Sequence, residues 1–317
     1  MYLVTGGAGF IGSNLAEALV RAGERVRIFD DFSSGKRENL KSFAADVEVI
    51  EGDLRNMDAV RRAVDGVTGI YHQAALRSVP RSVDNPLATN DVNITGTLQL
   101  LMAARDAGVK RVVAASSSSV YGANEALPKR EDQELLPVSP YAASKLAGEH
   151  YCRIFTRLYN LETVSLRYFN VFGARQDPDS QYAAVVPLFI QSGLDGVPLT
   201  VHGDGMQSRD FTYIDNVVQA NLRAMEAPAA AGEAFNIACG SRYTLMDIVH
   251  AIERELGHPL TCRHTPPRAG DVRHTLADIG KAERVLGFKP TVDFDEGMAR
   301  TVAYIKSQDF GRRAASA

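Results

Sequence analysis

The chain has 317 residues, of which 45% are hydrophobic and 23% charged, and its formal net charge at pH 7 is −3. This length and apolar content allow one extended domain or two joined domains with a large buried core. Because Lys and Arg are scattered along a nearly neutral chain, the sequence gives no reason to expect nucleic-acid or membrane binding, and small-molecule chemistry is favoured.

The start of the chain and its apolar runs bear on location. The first strand-like run follows Met1 directly and leaves no room for a basic region and an apolar core, so we expect no secretion signal. No run approaches the roughly 18 uninterrupted apolar residues of a membrane helix. We therefore expect a cytoplasmic protein. The three cysteines and seven histidines show no spacing typical of disulfide frameworks or metal sites, and we expect no metal.

Short β-branched runs alternate with helical patterns over the first half of the chain. The predicted strands are Tyr2–Val4, Val26–Phe29, Val47–Ile50, Gly69–His72, Arg111–Ala115 and Thr163–Tyr168. Continuously apolar strands separated by amphipathic helices indicate a parallel sheet with helices on both faces, because right-handed crossovers place them there. The prediction is an α/β protein with a Rossmann-type doubly wound parallel sheet.

After Tyr168 the pattern changes to loops rich in Gly, Pro and Asp, although Glu233–Ala238 looks like one more buried strand. We therefore predict a nucleotide-binding domain at residues 1–168 and 212–240. A smaller substrate-binding domain, residues 169–211 and 241–310, is interleaved with it. Residues 311–317 are small and polar enough to form a flexible tail.

A glycine-rich run, GGAGFIG at Gly6–Gly12, follows the first predicted strand and opens a helix. This context is typical of a dinucleotide-binding turn rather than an ordinary glycine-rich one. Gly6 permits a tight turn, Gly9 lets the backbone approach a pyrophosphate, and Gly12 allows the helix to pack closely on the strand.

Acidic residues at the ends of the next two strands bear on the choice of dinucleotide. Asp30 ends the second strand, where a carboxylate can accept hydrogen bonds from the adenosine ribose and would repel a 2′-phosphate. This favours NAD over NADP. Asp31 is the alternative acceptor or a solvated loop charge, and Asp53 either reads the adenine edge or is a plain turn aspartate.

Tyr141 and Lys145 are the candidate catalytic pair. Their i,i+4 spacing places both side chains on one side of a helix. Ser139 is typical of an N-cap and Pro140 of a first helical residue, so Tyr141 falls in the first turn, where the helix dipole favours a phenolate. Because a free tyrosine titrates at about pH 10, it acts as a base at neutral pH only when positive charge stabilises its anion, and Lys145 can supply that charge.

A run of four serines, Ser116–Ser119, ends the fifth predicted strand. Side chains at this position of an α/β sheet reach the crevice outside the carboxyl ends of the strands. One hydroxyl there could orient a substrate, and the bland alternative is a Ser-rich turn. The presence of these serines together with Tyr141 and Lys145 favours an enzyme over a non-catalytic nucleotide sensor.

These residues resemble the extended short-chain dehydrogenase/reductase family, through the glycine turn, Asp30, SSSSVYG at Ser116–Gly122 and SPYAASK at Ser139–Lys145. Within that family the chain is similar to UDP-hexose 4-epimerases, especially those acting on UDP-N-acetylglucosamine. The segments that carry this similarity are HQAALRSVPRS at His72–Ser82, RYFNVFGARQDP at Arg167–Pro178 and GDVRHTLAD at Gly270–Asp278.

The resemblance implies roles for the catalytic residues. Tyr141 would take the proton of the sugar 4-hydroxyl, Lys145 would lower the pKa of Tyr141 and bind the nicotinamide ribose, and Ser117 would bond to the 4-oxygen, with Ser118 as the alternative. The implied cofactor-binding residues are Gly6, Gly9, Phe10, Ile11, Gly12, Asp30, Asp31, Asp53, Leu54, Ala74, Ala75, Asn93, Tyr141, Lys145 and Tyr168.

The resemblance also implies a site for the UDP-sugar. Asn170 and Arg209 would hold the diphosphate, Arg268 and Asp271 would bind phosphate and uridine ribose, and His202 would line the uracil pocket. The full implied set is Arg77, Ser78, Ser117, Ser118, Asn170, Ala184, Val185, His202, Arg209, Arg268, Asp271 and Thr275. Thr275 stands where a bulky tyrosine would crowd the sugar 2-substituent, so the small residue leaves room for an N-acetyl group.

The activity so implied is 4-epimerisation of UDP-hexoses through a transient 4-keto sugar, with NAD kept bound and no net redox change. A UDP-glucuronate 4-epimerase or decarboxylase is the alternative, because Arg77 or Arg81 could meet a carboxylate. A 4,6-dehydratase is disfavoured, since Ser118 and Ser119 stand where it would need carboxylates. The resemblance further implies a homodimer through a four-helix bundle built from the helices around 87–107 and 140–158.

Overall fold

The structure is a computed structural model that describes residues 1–178, 184–267 and 272–315, with side chains described up to Gln308. Its strands are β1 (Tyr2–Thr5), β2 (Val26–Asp30), β3 (Val47–Glu51), β4 (Gly69–His72), β5 (Arg111–Ser117), β6 (Glu162–Tyr168), β7 (Val171–Phe172), β8 (Leu199–His202), β9 (Ser208–Arg209), β10 (Thr212–Tyr213), β11 (Glu233–Ile237), β12 (Tyr243–Thr244) and β13 (Cys262–Thr265). Its α-helices are α1 (Phe10–Arg21), α2 (Met57–Val64), α3 (Val79–Asp84), α4 (Pro86–Asn90), α5 (Thr97–Asp106), α6 (Pro140–Tyr159), α7 (Val185–Leu194), α8 (Ile214–Glu226), α9 (Leu245–Leu256), α10 (Gly280–Leu286) and α11 (Phe294–Ala315).

A seven-stranded parallel sheet forms the centre of the fold, in the order β11-β6-β5-β4-β1-β2-β3. The chain starts in the middle, runs through β2 and β3 to one edge, and then returns to build the other side from β4 outward. This reversal between β1 and β4 creates a crevice outside the carboxyl ends of the strands. The predicted doubly wound sheet is confirmed, and the observed strand bounds differ from the predicted ones by one or two residues.

Apolar residues on the two faces of the sheet form two cores. Along β1 and β2, Val4 and Ile28 pack into one core, whereas Leu3 and Phe29 pack into the other, as the alternation of side chains along a strand requires. Helices α1 and α8 cover the first face, and α2 and α5 cover the second. The rigid sheet therefore holds the loops at its carboxyl edge in fixed positions.

Three two-stranded sheets lie beyond the central one, pairing β7 with β10, β9 with β12 and β8 with β13. The pairing of β11 with β6 brings the chain back to the edge of the central sheet between these pieces. Segments distant in sequence, around Asn170, His202 and Arg209, come together around one cavity, which is described below. Within the described ranges, no helix has the length and apolar character needed to span a membrane.

Candidate active site

The glycine turn after β1 is fitted so closely to its neighbours that side chains are excluded from it. Gly6 has φ of +66°, and a Cβ there would lie 2.7 Å from the backbone of Ala74. Gly9 is the N-cap of α1 in an extended conformation, and a Cβ at Gly12 would lie 2.1 Å from the carbonyl oxygen of Gly6. The bare backbone and the start of α1 together make a cradle that fits a pyrophosphate.

Asp30 ends β2 and is 7% exposed. Its two carboxylate oxygens each accept a backbone N–H, from Ala8 and from Phe32, both at 2.9 Å. Burial raises the pKa of Asp30, and the two backbone hydrogen bonds oppose the rise. Gly35 leaves space directly over the carboxylate, because a Cβ there would lie 2.7 Å from Oδ1. The position suits an acceptor for ribose hydroxyls.

The other two candidate acids have local partners. Asp31 accepts hydrogen bonds from the backbone N–H and the hydroxyl of Ser33, at 2.9 and 2.7 Å. Asp53 pairs with Arg55 at 2.5 Å, and this guanidinium holds the pKa of Asp53 below its usual value. Both residues still line the cleft described next.

A cleft at the reversal point of the sheet brings most of the predicted cofactor residues together. Those lining it are Gly6, Gly9, Phe10, Ile11, Gly12, Asp30, Asp31, Asp53, Leu54, Ala74 and Ala75, joined by Arg77 from the predicted substrate set. Sequence reasoning missed Phe29, Ser33, Ser34, Gly35, Gly52, Gln73, Leu76 and Val92, which also line it. These residues fit an adenine dinucleotide, with the pyrophosphate at α1 and the ribose at Asp30.

Asn93 and Tyr168, also predicted to bind the cofactor, do not line the cleft directly but hydrogen-bond to residues that do. Asn93 is 3% exposed and lies in a single π-turn, Asp91–Gly96, between α4 and α5. Its amide accepts from the Leu76 N–H at 2.8 Å and donates to Ser144 Oγ at 3.0 Å. Asn93 therefore holds the cleft wall in place. The hydroxyl of Tyr168, at the end of β6, donates to Gln73 at 3.2 Å.

The catalytic candidates meet where β5 ends and α6 begins. Ser139 caps α6 by accepting the N–H of Ala142 at 3.1 Å, and Pro140 is the first helical residue, which places Tyr141 in the first turn. Ser117, the last residue of β5, lies close enough to the Tyr141 side chain to lower the pKa of that tyrosine. Ser117 also accepts from the Ser119 hydroxyl at 2.8 Å. Ser118 begins the 3-10 turn that follows. Of the four serines, Ser117 is thus the one placed against Tyr141.

Two cations, Lys145 and Arg77, lie near the Tyr141 side chain. The Lys145 ammonium donates to the carbonyl oxygen of Ala115 at 2.9 Å and lies 6.0 Å from the centroid of the Tyr141 ring. Burial lowers the pKa of Lys145 to about 8. Burial raises the pKa of Tyr141, whereas the hydrogen bond from Ser117 and the charge of Arg77 lower it. The group can therefore exchange a proton with a substrate held beside it.

Arg77 and Ser78 follow β4 on the rim of the cofactor cleft. Arg77 is exposed and lines the cleft, close enough to favour the Tyr141 anion. Ser78 caps α3 by accepting the N–H of Arg81 at 3.3 Å and has a φ of +117°, a strained value for a residue with a side chain.

A second cavity, of about 520 Å³, lies between β7, α7 and β8. Five predicted substrate residues line it: Asn170, Ala184, Val185, His202 and Arg209. Sequence reasoning missed the apolar lining of Phe172, Phe189 and Phe211 and the polar lining of Gln176, Thr200 and Gln207. A cavity with aromatic walls, a histidine and an arginine suits a nucleotide base next to phosphates.

The polar residues of this cavity are held by neighbouring backbone. Asn170 has a φ of +28° and donates to the carbonyl oxygen of Asp210 at 3.1 Å. His202 Nδ1 lies 2.8 Å from the hydroxyl of Thr265. Arg209 donates to the carbonyl oxygens of Ser208 and Arg273, both at 3.0 Å.

Thr275 lies beside Arg209, since its N–H donates to the carbonyl oxygen of Ser208, the residue before Arg209, at 3.0 Å. Its hydroxyl oxygen is buried, with no hydrogen-bond partner among the described residues. The remaining predicted substrate residues, Arg268 and Asp271, lie outside the described residues.

Comparisons with known proteins agree with this geometry. Residues 2–238 match the model of the NAD dependent epimerase/dehydratase family. The chain is 41% identical to a UDP-glucose 4-epimerase of Mycolicibacterium smegmatis, over 96% of this chain and 98% of that protein.

Two solved structures are similar over nearly their whole length. One is a UDP-N-acetylglucosamine 4-epimerase from Methanobrevibacter ruminantium in complex with UDP-N-acetylmuramic acid, with a TM-score of 0.92 and 40% identity, covering 97% of this chain and 98% of that one. The other is a Thermus thermophilus UDP-glucose 4-epimerase in complex with NAD, with a TM-score of 0.87 and 36% identity, covering 96% and 98%.

The matched family model covers most of the chain, and the relatives cover nearly all of it. The sequence predictions of the extended short-chain dehydrogenase/reductase family, of an epimerase and of NAD as its cofactor are thereby confirmed. The chain belongs to the NAD-dependent epimerase/dehydratase family.

Proposed function

We propose that the protein interconverts UDP-N-acetylglucosamine and UDP-N-acetylgalactosamine by inverting carbon 4, and that it also accepts UDP-glucose and UDP-galactose. The observation that carries this proposal is the Ser117–Tyr141–Lys145 group, which lies at the carboxyl edge of the sheet that also holds the dinucleotide cleft. A nucleotide cavity lined by Asn170, His202 and Arg209 completes the site.

The chain's own residues handle the proton of the sugar 4-hydroxyl. Tyr141 accepts this proton and later returns it, and Ser117 orients the oxygen. The Tyr141 anion is stabilised by the charge of Arg77 and by Lys145, whose ammonium lies 6.0 Å from the ring centroid. NAD, when bound, supplies reversible oxidation at carbon 4. Its phosphates would lie at Gly9 and the start of α1, and its adenosine ribose at Asp30.

Inversion requires the sugar to turn while the nucleotide stays in place. Asn170 and Arg209 are fixed by bonds to backbone carbonyl groups, so they can clamp a diphosphate. The hexose has no comparable anchor in this proposal, and both of its faces can therefore reach the same cofactor. The reaction ends without net oxidation.

Preference for N-acetylated sugars rests on Thr275. A buried hydroxyl without a partner indicates space or a polar group beside it, since buried polar atoms are nearly always hydrogen-bonded. A tyrosine there would have to displace close-packed neighbours or occupy this space. The relative from M. ruminantium is named for a UDP-N-acetylglucosamine activity, which supports the same preference.

The test is turnover of the purified protein on the two N-acetylated and the two plain UDP-hexoses. Thr275→Tyr should abolish turnover of the N-acetylated pair and spare the plain pair. Val197→Tyr, at an exposed position that lines neither the cofactor cleft nor the nucleotide cavity, is the control and should leave both activities unchanged. An unchanged activity ratio in Thr275→Tyr would remove the support for the N-acetyl assignment.

UDP-glucuronate is the second candidate substrate, because Arg77 places an exposed cation near Tyr141. A carboxylate on the sugar could pair with this guanidinium. The same assay with UDP-glucuronate, followed by product analysis, separates 4-epimerisation from decarboxylation. The serines at 118 and 119 remain the argument against a dehydratase, which needs acidic groups there.

We also propose a homodimer. Helices α3 to α6 expose large apolar side chains, of which Leu87 is 75% and Leu158 is 69% exposed, together with Val79, Val83, Met102 and Ile154. Water-exposed apolar residues at this density favour an interface. In light scattering after size exclusion, Leu87→Glu with Leu158→Glu should yield a monomer, whereas Val197→Glu, an exposed control elsewhere, should stay dimeric. A monomeric wild-type protein would contradict the proposal.

A further inference from the structure

Directly beneath the catalytic group lies a buried ion pair, Glu149 with Arg167. The Arg167 guanidinium donates from Nε to Glu149 Oε1 at 2.9 Å and from Nη2 to Oε2 at 2.7 Å. Arg167 is 2% and Glu149 8% exposed. Two parallel bonds of this kind fix the orientation of both side chains.

Glu149 connects the pair to both catalytic elements. It lies on α6 one turn after Lys145, which itself lies one turn after Tyr141, so the three side chains share one side of the helix. Its Oε1 also accepts the hydroxyl of Ser116 at 2.5 Å, and Ser116 immediately precedes Ser117 on β5. With the bond from Lys145 to Ala115, the helix is tied to β5 at two successive residues.

Arg167 extends the network across β6 to the edge strand β11. Its Nη1 donates to the Tyr121 hydroxyl at 3.0 Å, and that hydroxyl donates to Asn236 at 2.7 Å. Tyr121 follows the serine run, and both it and Asn236 are buried. Strands β5, β6 and β11 and the turn after Ser117 are therefore linked through one set of hydrogen bonds.

A buried ion pair is not needed for stability, because apolar residues of similar volume often stabilise a fold as well or better. Strands β5 and β6 carry another ion pair, Arg111 with Glu162, at their opposite ends. Its glutamate side chain is 49% exposed. The ion pair with both side chains buried therefore lies at the carboxyl end of the strands, next to the serine run, and the half-exposed pair lies at the opposite end.

We propose that Glu149 is a positioning residue: through Ser116 and Arg167 it holds Ser117 in place beside Tyr141, and it keeps a negative charge one turn from Lys145. This inference rests on the proposed roles of Tyr141, Lys145 and Ser117.

Few charged groups other than Glu149 lie close enough to Lys145 to affect its pKa. The titratable groups facing Lys145 are Tyr141, Glu149 and Cys152 on α6 and His72 on β4, and Arg167 on β6 faces Glu149. Burial lowers the pKa of His72 to about 3 and raises that of Cys152 to about 12, so neither is charged near neutrality. Glu149 opposes the lowering of the Lys145 pKa. Removing its charge should therefore lower that pKa further.

The test compares Glu149→Gln with Glu162→Gln in the NAD-containing enzyme. For Glu149→Gln we expect kcat to fall about 100-fold with KM within about twofold of wild type, since a displacement of about 1 Å costs that much in rate. The alkaline limb of the pH profile of kcat should move to lower pH. Glu162→Gln should change neither quantity, although it also breaks an ion pair.

Two further variants separate charge from position. Glu149→Asp keeps the charge but shortens the reach, so kcat should fall while the pH profile stays at its wild-type position. Ser116→Ala removes only the bond at 2.5 Å and should lower kcat about tenfold, because it releases Ser117. Ser116→Ala decides the question if Glu149→Gln does not fold.

Bound NAD and the midpoint of thermal unfolding are measured for every variant. A Glu149→Gln enzyme that keeps wild-type kcat, or loses kcat with an unmoved pH profile, overturns the proposal, as does wild-type kcat in Ser116→Ala. The proposed function has its own test: it is wrong if Tyr141→Phe retains activity, whatever the Glu149 variants show. An inactive Tyr141→Phe with normal Glu149→Gln would leave the proposed function standing and refute only the positioning role.

Discussion

The glycine turn offers a perturbation whose size follows from the structure. A methyl group at Gly12 would lie 2.1 Å from the carbonyl oxygen of Gly6 and 2.9 Å from Gly7 Cα, well inside van der Waals contact. Because these neighbours are backbone atoms, which cannot rotate away, α1 must move away from β1. We expect Gly12→Ala to lower the free energy of unfolding of the NAD-free protein by ~1–3 kcal/mol, the usual cost of overpacking.

Gly9→Ala should behave differently. Its Cβ would lie 3.1 Å from the same oxygen, a contact that a few tenths of an ångström of movement relieves, but it would project towards the pyrophosphate. We expect near-normal stability without cofactor and a large loss of bound NAD.

Gly148→Ala, with no atom within 4 Å of the added methyl, is the control and should be neutral or slightly stabilising. Denaturant unfolding and NAD release are the assays. Equal stability of Gly12→Ala and Gly9→Ala would refute the assignment of different roles.

Three further predictions concern the cofactor and the catalytic pair. The purified protein should release NAD(H) on denaturation without any having been added, and release of NADP would contradict the Asp30 argument. Asp30→Asn should reduce the amount of bound NAD and make the affinities for NAD and NADP more similar in titrations, because it removes the charge that repels a 2′-phosphate. An unchanged ratio of the two affinities would show that another residue discriminates between them. Activity should decline as pH rises through about 8, since the buried Lys145 loses there the proton that supports the Tyr141 anion, and a pH–rate profile that is flat to pH 10 would count against this role.

The elements of the sheet could be predicted from the sequence because each carries a local signal. Strands such as Tyr2–Thr5 consist of aromatic, aliphatic and β-branched residues, and the start of α6 carries Ser139 and Pro140, whose capping geometry the structure reproduces. The register of the serine run could not be predicted, because four identical side chains carry no distinguishing signal. The structure distinguishes them, because Ser116 bonds to Glu149 whereas Ser117 lies beside Tyr141.

Long-range contacts account for the other differences. The cofactor contact of Asn93 stays a prediction, and its hydrogen bonds to Leu76 and Ser144, residues 17 and 51 positions away, could not be predicted from any local pattern. Phe172 and Phe211 line the nucleotide cavity because β7 and β10 pair in parallel, which no local pattern reveals. The Glu149–Arg167 pair was missed for the same reason, although Glu149 continues the spacing of Tyr141 and Lys145.

The central claim is that Tyr141 carries the proton of the sugar 4-hydroxyl. The most direct test is the rate at which purified Tyr141→Phe interconverts UDP-N-acetylglucosamine and UDP-N-acetylgalactosamine, measured on protein shown to retain its fold and its bound NAD. We expect a loss of about 100- to 10,000-fold relative to the unmodified protein, as for removal of a general acid–base group. Turnover close to that of the unmodified protein would contradict the account.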